Sequence, residues 1–312
     1  MATAVPLPQP PAPPTPPDVI REKLNLKAET DSALLQLAGE EQAVLLCIIA
    51  PSRSLRISPV GEIRASIGVN EEFAIEAIVD DLEALTHPPQ KLMVLLHTPG
   101  GGLHSSFKVA RALRRAFTQI EIFVPHTAAS GGTLIALTGN KIIMGPMSQL
   151  SPVDPQVIYK SRRVSALFVR VAFNRICKLF ETKTKDEAPY PHQALADKLD
   201  PVLMEGDYAA VTTSFQYARE ILKLAGYTTD DCLSIAWDLV YSFPDHDSDI
   251  DYAKADELGL RVERHNASER NKKVWRIMRS WLGTYLYEES GTHIIRYVFP
   301  NQGEGNEPQT GV

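Results

Sequence analysis

The chain has 312 residues, 44% of them hydrophobic, enough to bury one large α/β core alone or with a helical extension. A formal net charge of −6 and a pI near 5.8 argue against a general nucleic-acid binder, which depends on clustered Lys and Arg. The three cysteines, Cys47, Cys177 and Cys232, are odd in number and far apart, so neither a disulfide framework nor a CxxC metal site is indicated. Each lies in an apolar stretch, and three buried, inert thiols in a reducing compartment are expected.

Residues 1–17 hold eight of the 23 prolines, with no basic region and no apolar run after them, so they do not read as a signal peptide. They read as a solvated polyproline-type tail; docking to a proline-binding domain is the other use of such a segment. No window reaches the ~18 apolar residues of a spanning helix. A cytoplasmic protein without a membrane anchor is expected.

Asp18 to Glu41 has helical character, and Val44–Ala50 is the first strand. A helix from about Asn70, capped by Asn70, turns Ala74, Ile78, Leu82 and Leu85 to one face, with Glu71 and Glu72 at its positive end. His87-Pro88-Pro89 stops it. Lys91–His97 is apolar throughout, as in a parallel strand covered on both faces. A helix over Ser105–Phe117, a strand over Ile120–Pro125, a helix from Thr133 and a strand over Lys141–Gly145 follow. This alternation implies right-handed βαβ units and a parallel sheet. Further helices are expected over Val164–Phe180, about 193–225 and 229–241, with a polar loop between the first two. A helix bearing Trp275 and Trp281 and a strand over His293–Phe299 complete the fold, and 300–312 reads as disordered. Arg162 and Arg163 could meet an acidic partner, but a solvated helix start is the preferred reading.

Two glycine-rich stretches fall at strand ends, where open α/β sheets bind ligands. His97-Thr98-Pro99-Gly100-Gly101-Gly102 lets the backbone approach a substrate and turn an N–H toward it. In His126-Thr127-Ala128-Ala129-Ser130-Gly131-Gly132-Thr133, a serine precedes two glycines at a helix start, leaving the Gly131 amide unpaired near the positive dipole end. A hydroxyl with two backbone amides, from Gly101 and Gly131, is the minimum equipment for acyl transfer. Taken alone, the serine also reads as a helix cap and TPGGG as a phosphate-binding turn. The absence of GxGxxG and GxxxxGKS/T patterns weakens the nucleotide alternative.

TPGGG (98–102), AASGGT (128–133) and LSPVDPQ (150–156), in this order, closely resemble the Clp-protease/crotonase superfamily, most nearly the serine dehydrogenase proteinase family related to signal peptide peptidase A. The resemblance spans roughly residues 40–265. It implies a Clp/crotonase-type spiral of βαβ units over 18–265, followed by a C-terminal helix and strand over 266–299. It also implies Ser130 as nucleophile, Gly101 and Gly131 as oxyanion donors, a protein or peptide substrate, self-association into a homo-oligomer and no cofactor.

The general base is not where the family resemblance would put it. The Clp protease has a histidine about twenty-five residues after its serine, whereas Ser151-Pro152-Val153-Asp154-Pro155 stands here. Asp154 could orient a base or be a turn residue. Aligning the helix containing Ala255 with its counterpart in the Clp protease puts Asp247 near the catalytic acid, which makes His246 the candidate base. The signal peptide peptidase relatives use a Ser–Lys pair, so Lys178, Lys183, Lys185 and Lys198 are alternatives, Lys198 foremost. His97 and His126 read as packed strand-end residues. No HExxH spacing or Cys–His cluster implies a metal. The expectation is a serine peptidase; the rivals are an inactive scaffold or peptide-binding protein of the same fold, supported by the missing histidine, and a crotonase-type acyl-CoA enzyme.

Overall fold

The computed structural model describes residues 17–300 apart from 52–56, 59–60, 63–64, 160–161, 181–183, 185–186, 188–189, 191–192, 195–200, 287, 289 and 291. In chain order, α1 (Pro17–Glu41) leads into β1 (Ala43–Ile49), a short pair β2 (Ile57–Ser58) and β3 (Gly61–Glu62), and α2 (Val69–Glu83). Then come β4 (Lys91–His97), α3 (Leu103–Ala116), β5 (Gln119–Val124), β6 (Thr127–Ala128), α4 (Gly131–Ala136), β7 (Lys141–Met144) and β8 (Gln149–Leu150). A hairpin of β9 (Gln156–Tyr159) and β10 (Arg162–Ser165) precedes α5 (Ala166–Phe180). The remainder is α6 (Pro201–Leu224), α7 (Thr229–Tyr241), α8 (Tyr252–Glu257), β11 (Val262–Arg264), α9 (Glu269–Tyr285) and β12 (Ile294–Val298).

The main sheet has the order β11-β7-β5-β4-β1-β12; its first five strands are parallel and β12 closes one edge antiparallel to β1. Every residue of β1 is buried. Its alternate side chains divide between two cores: Val44, Leu46 and Ile48 pack with residues of α2, α3, α6 and α7, while Leu45, Cys47 and Ile49 pack with α1 and α9. Helices on both faces are why these strands carry no polar alternation. The α/β sheet follows the expected βαβ pattern, and α9 and β12 belong to the same packed sheet.

A second ladder positions the site. Beyond the ends of β4 and β5 the backbone turns and pairs again: Thr98 bridges Ala128, β6 pairs with β8 in parallel, and Leu150 bridges Ile250 antiparallel. On the other side Ile67 bridges Gly101. Segments from five distant parts of the chain are thus laid side by side across one rim.

Three local readings differ from expectation. A strand pair occupies 156–159 and 162–165, so Val164 lies in β10 and the helix begins at Ala166; side chains in short strands resemble a helical face over so few residues. The N-cap of α2 is Gly68, whose amide donates to Glu71 Oε2 at 2.7 Å, and Asn70 lies inside the first turn. Glu71 reaches back to the cap as the acidic half of a capping box does. Cys47 and Cys232 are buried but Cys177 is exposed, because α5 leaves Phe168 and Val171 on the surface too. The tails 1–16 and 301–312 and most of the 181–200 segment lie outside the described residues.

Candidate active site

Ser130 stands between β6 and α4 with φ 52° and ψ −115°, a conformation that L side chains rarely adopt. Holding a serine there costs on the order of 1–3 kcal/mol. The surroundings fix the turn. The Ser130 N–H donates to Ser151 Oγ at 2.8 Å, and the Thr133 hydroxyl lies 2.8 Å from both Ala128 O and Ser151 O while accepting the Ser151 N–H at 3.1 Å. AASGGT and LSPVDPQ are therefore one hydrogen-bonded unit, not two independent motifs.

The glycine turn closes against it. Ile67 donates to Gly100 O at 3.0 Å and accepts from Gly102 N at 2.8 Å, which leaves the Gly101 amide between them unpaired among the described residues. The Gly131 amide opens α4 and has no intrahelical acceptor. Gly100 has φ +100°, and a methyl there would stand 2.6 Å from Ala129 O and 2.9 Å from Ser130 Cβ, so only glycine permits this approach. A methyl on Gly101 would meet Ile67 N at 2.1 Å, backbone that cannot yield. Gly101→Ala is expected to destabilise the fold by about 1–3 kcal/mol and to slow any acyl transfer by about 10²–10³-fold through the displaced amide. Urea unfolding and probe-labelling rates measure the two effects.

Ser130, Gly101 and Gly131 line a cavity of about 1020 Å³ together with Asp154, His246 and Asp247. His246 Nδ1 lies 2.8 Å from Asp154 Oδ1, with both side chains largely shielded from solvent. The isolated antiparallel bridge between Leu150 and Ile250 brings the two segments together four residues from Asp154 and from His246. Burial of the ring opposes its charged form, but the hydrogen bond and charge of Asp154, then the charge of Asp247, outweigh it and hold the imidazole above its ordinary pKa. Because the carboxylate occupies Nδ1, Nε2 is the nitrogen free to accept a proton.

The carboxylate that sequence matching set beside His246 is thus not the one bonded to it. Asp247 is exposed at the cavity wall, its amide donating to Asp245 Oδ1 at 3.2 Å, and it acts on the ring only by charge. Lys183, Lys185 and Lys198 lie outside the described residues, and Lys178 is exposed on α5. His97 is partly buried, its Nδ1 without a hydrogen-bond partner among the described residues and its ring edge-on to His126; burial first, then His126 and His293, push it down to about 4. Neither His97 nor His126 lines the cavity. Sequence reasoning missed Ser151 and Ile67. The signal for the first lay within LSPVDPQ, whereas Ile67 acts through its backbone and leaves no side-chain signature.

Comparison with known proteins bears on the family of the chain. The family model of ClpP-like SDH-type serine proteinases matches residues 67–188, a span containing Gly101, Ser130 and Asp154 but not His246. Two uncharacterised proteins of Methanocaldococcus jannaschii are similar. MJ0137 is 30% identical over 240 residues, covering 76% of this chain and 74% of its own. MJ1495 is 27% identical over 199 residues, covering 63% and 61%. Among solved structures, two mutants of the 1510-N membrane-bound stomatin-specific protease, the second in complex with a substrate peptide, align with TM-scores of 0.42 and 0.39 at 17% and 15% identity. They cover 67% and 69% of this chain and 80% and 94% of theirs. With the glycine turn, the strained serine and the segment behind it in the family's order, the chain belongs to the ClpP-like SDH-type serine proteinases.

Proposed function

We propose that the protein is a serine peptidase in which Ser130, His246 and Asp154 form the catalytic triad and the Gly101 and Gly131 amides form the oxyanion hole. The observation that carries this reading is one cavity holding a serine in a strained turn, a histidine whose Nδ1 is taken by a carboxylate, and two unpaired amides. Ser130 Oγ attacks a peptide carbonyl while His246 Nε2 accepts its proton. The oxyanion of the tetrahedral intermediate takes the two N–H groups, each donor typically worth ~3 kcal/mol. Collapse expels the amine, which leaves with the proton from His246, and water repeats the sequence on the acyl-enzyme. Asp154 holds the tautomer and stabilises the imidazolium.

The scaffold reading rested on a histidine missing after Ser130, and His246 supplies an imidazole from the other end of the chain. A crotonase-type enzyme needs the two amides but gains nothing from a strained serine beside them. Self-association and a protein or peptide substrate are part of the proposal as family expectations. Among the described residues no helix is long and apolar enough to cross a membrane.

A fluorophosphonate probe tests the proposal. Wild type is expected to label and Ser130→Ala not to. Absence of labelling in wild type across pH 5–9 would leave the scaffold reading standing.

A further inference from the structure

Beneath the glycine turn runs a buried polar chain that takes no part in the chemistry just described. Thr98, the first residue of TPGGG, is fully buried, and its Oγ1 accepts the Gly100 N–H at 3.0 Å. The same oxygen lies 2.7 Å from His293 Nε2. His293 Nδ1 in turn lies 3.1 Å from Glu71 Oε1, and Glu71 Oε2 receives the Gly68 amide at 2.7 Å. Glu71 and His293 are both buried, 4% and 8% exposed. One helix start, one residue ahead of β12 and one glycine turn, all far apart in sequence, are thereby joined.

Burial works to raise the Glu71 pKa, but the bonds from His293 and from Gly68 outweigh it and the group is held below its ordinary value. It is an acceptor only, so His293 Nδ1 carries a proton. Thr98 Oγ1 thus receives the Gly100 N–H and shares a second hydrogen bond with His293 Nε2.

We infer that Thr98, His293 and Glu71 are positioning residues for the oxyanion turn, fixing the Gly100 peptide so that the Gly101 amide stays directed at the cavity. This inference rests on the peptidase reading above. It gives the segment ahead of β12 a part in the site: that strand, lying antiparallel on β1, delivers His293 to the underside of the turn. The family match ends at residue 188, so nothing in the matched span supplies this imidazole.

Thr98→Val keeps the shape of the side chain and removes both hydrogen bonds, whereas Thr98→Ser keeps the hydroxyl. The expected result with a fluorophosphonate is a fall of roughly 10–100-fold in the maximal labelling rate for Thr98→Val, the scale of a misplaced reacting group. Half-saturating probe concentration should stay within about twofold and Thr98→Ser within about threefold of wild type. Labelling of Thr98→Val at the wild-type rate would overturn the inference, and so would equal losses in the two variants, which would mark a packing role. Should Thr98→Val not fold, ¹⁵N spectra of the unaltered protein decide: hydrogen on His293 Nδ1 is expected, and a ring carrying hydrogen on Nε2 alone contradicts the chain of bonds. If wild type does not label at all, the peptidase reading fails on its own, while the tautomer and the amide exchange of residues 98–102 still report whether the turn is held this way.

Discussion

Ser130→Gly is expected to abolish peptidase activity while raising stability by about 1 kcal/mol. The serine is held at φ 52° and ψ −115°, where a Cβ is crowded by its own backbone and where glycine is at ease. Relief of on the order of 1–3 kcal/mol is set against roughly 0.5–1 kcal/mol for the extra freedom glycine gives the unfolded chain. The hydroxyl itself makes no hydrogen bond among the described residues, so its removal orphans no partner, and the bond from the Ser130 amide to Ser151 needs no side chain. Ser130→Ala separates the two effects, since alanine keeps the Cβ and its strain but loses the nucleophile. Both variants should lose about 10⁴-fold or more in activity, but only glycine should move the urea midpoint upward. A glycine variant no more stable than the alanine variant would mean that the turn is not strained by its side chain. A net gain would make the serine a residue kept for chemistry at the expense of the fold.

The sheet could be read in the sequence because strands buried on both faces must be apolar at every position, and LMVLL and KIIM have no other economical use. The two glycine turns of the proposed site were legible for a related reason: close backbone approach demands glycine, and glycine leaves a mark. The proposed base was not, because His246 meets Asp154 from 92 residues away, and contact over such a distance has no local signature. Glu71 shows the same limit from the other side. Its place in the first turn of α2 fits a dipole residue, and its bond to the helix cap agrees, yet its second oxygen serves His293 from the far end of the chain. The hairpin at 156–165 was hidden because Val164 also fits the apolar spacing of the helix that follows.

Asp154→Asn is the change expected to be nearly as damaging as loss of the serine, although it alters one atom type. An asparagine can offer its NH₂ to His246 Nδ1, which would place the ring hydrogen on Nε2, the nitrogen that must accept the serine proton. A loss of about 10⁴-fold in kcat is expected, with substrate binding little changed. Asp247→Asn should cost only severalfold, because that carboxylate is exposed and reaches the ring by charge alone. Since attack needs a neutral imidazole and the acids around it hold its pKa above the ordinary value, the wild-type rate should fall as pH drops through that raised value, and Asp247→Asn should move this acidic limb to lower pH. Stability runs the opposite way. A histidine whose folded-state pKa is raised contributes stability that is fully present below its unfolded value of about 6.5 and lost as pH rises through the folded value. The urea midpoint of wild type should therefore exceed that of Asp154→Asn most at about pH 5–6, where the pair is charged, and the gap should narrow toward pH 8. Equal losses of activity in Asp154→Asn and Asp247→Asn would show that the bond at Nδ1 does not set the tautomer, and the orienting carboxylate would have to be reassigned. An activity loss confined to Asp154→Asn, with the two pH profiles sloping in opposite senses, would tie a single carboxylate–imidazole bond both to the proton transfer and to the join between two distant segments of the rim.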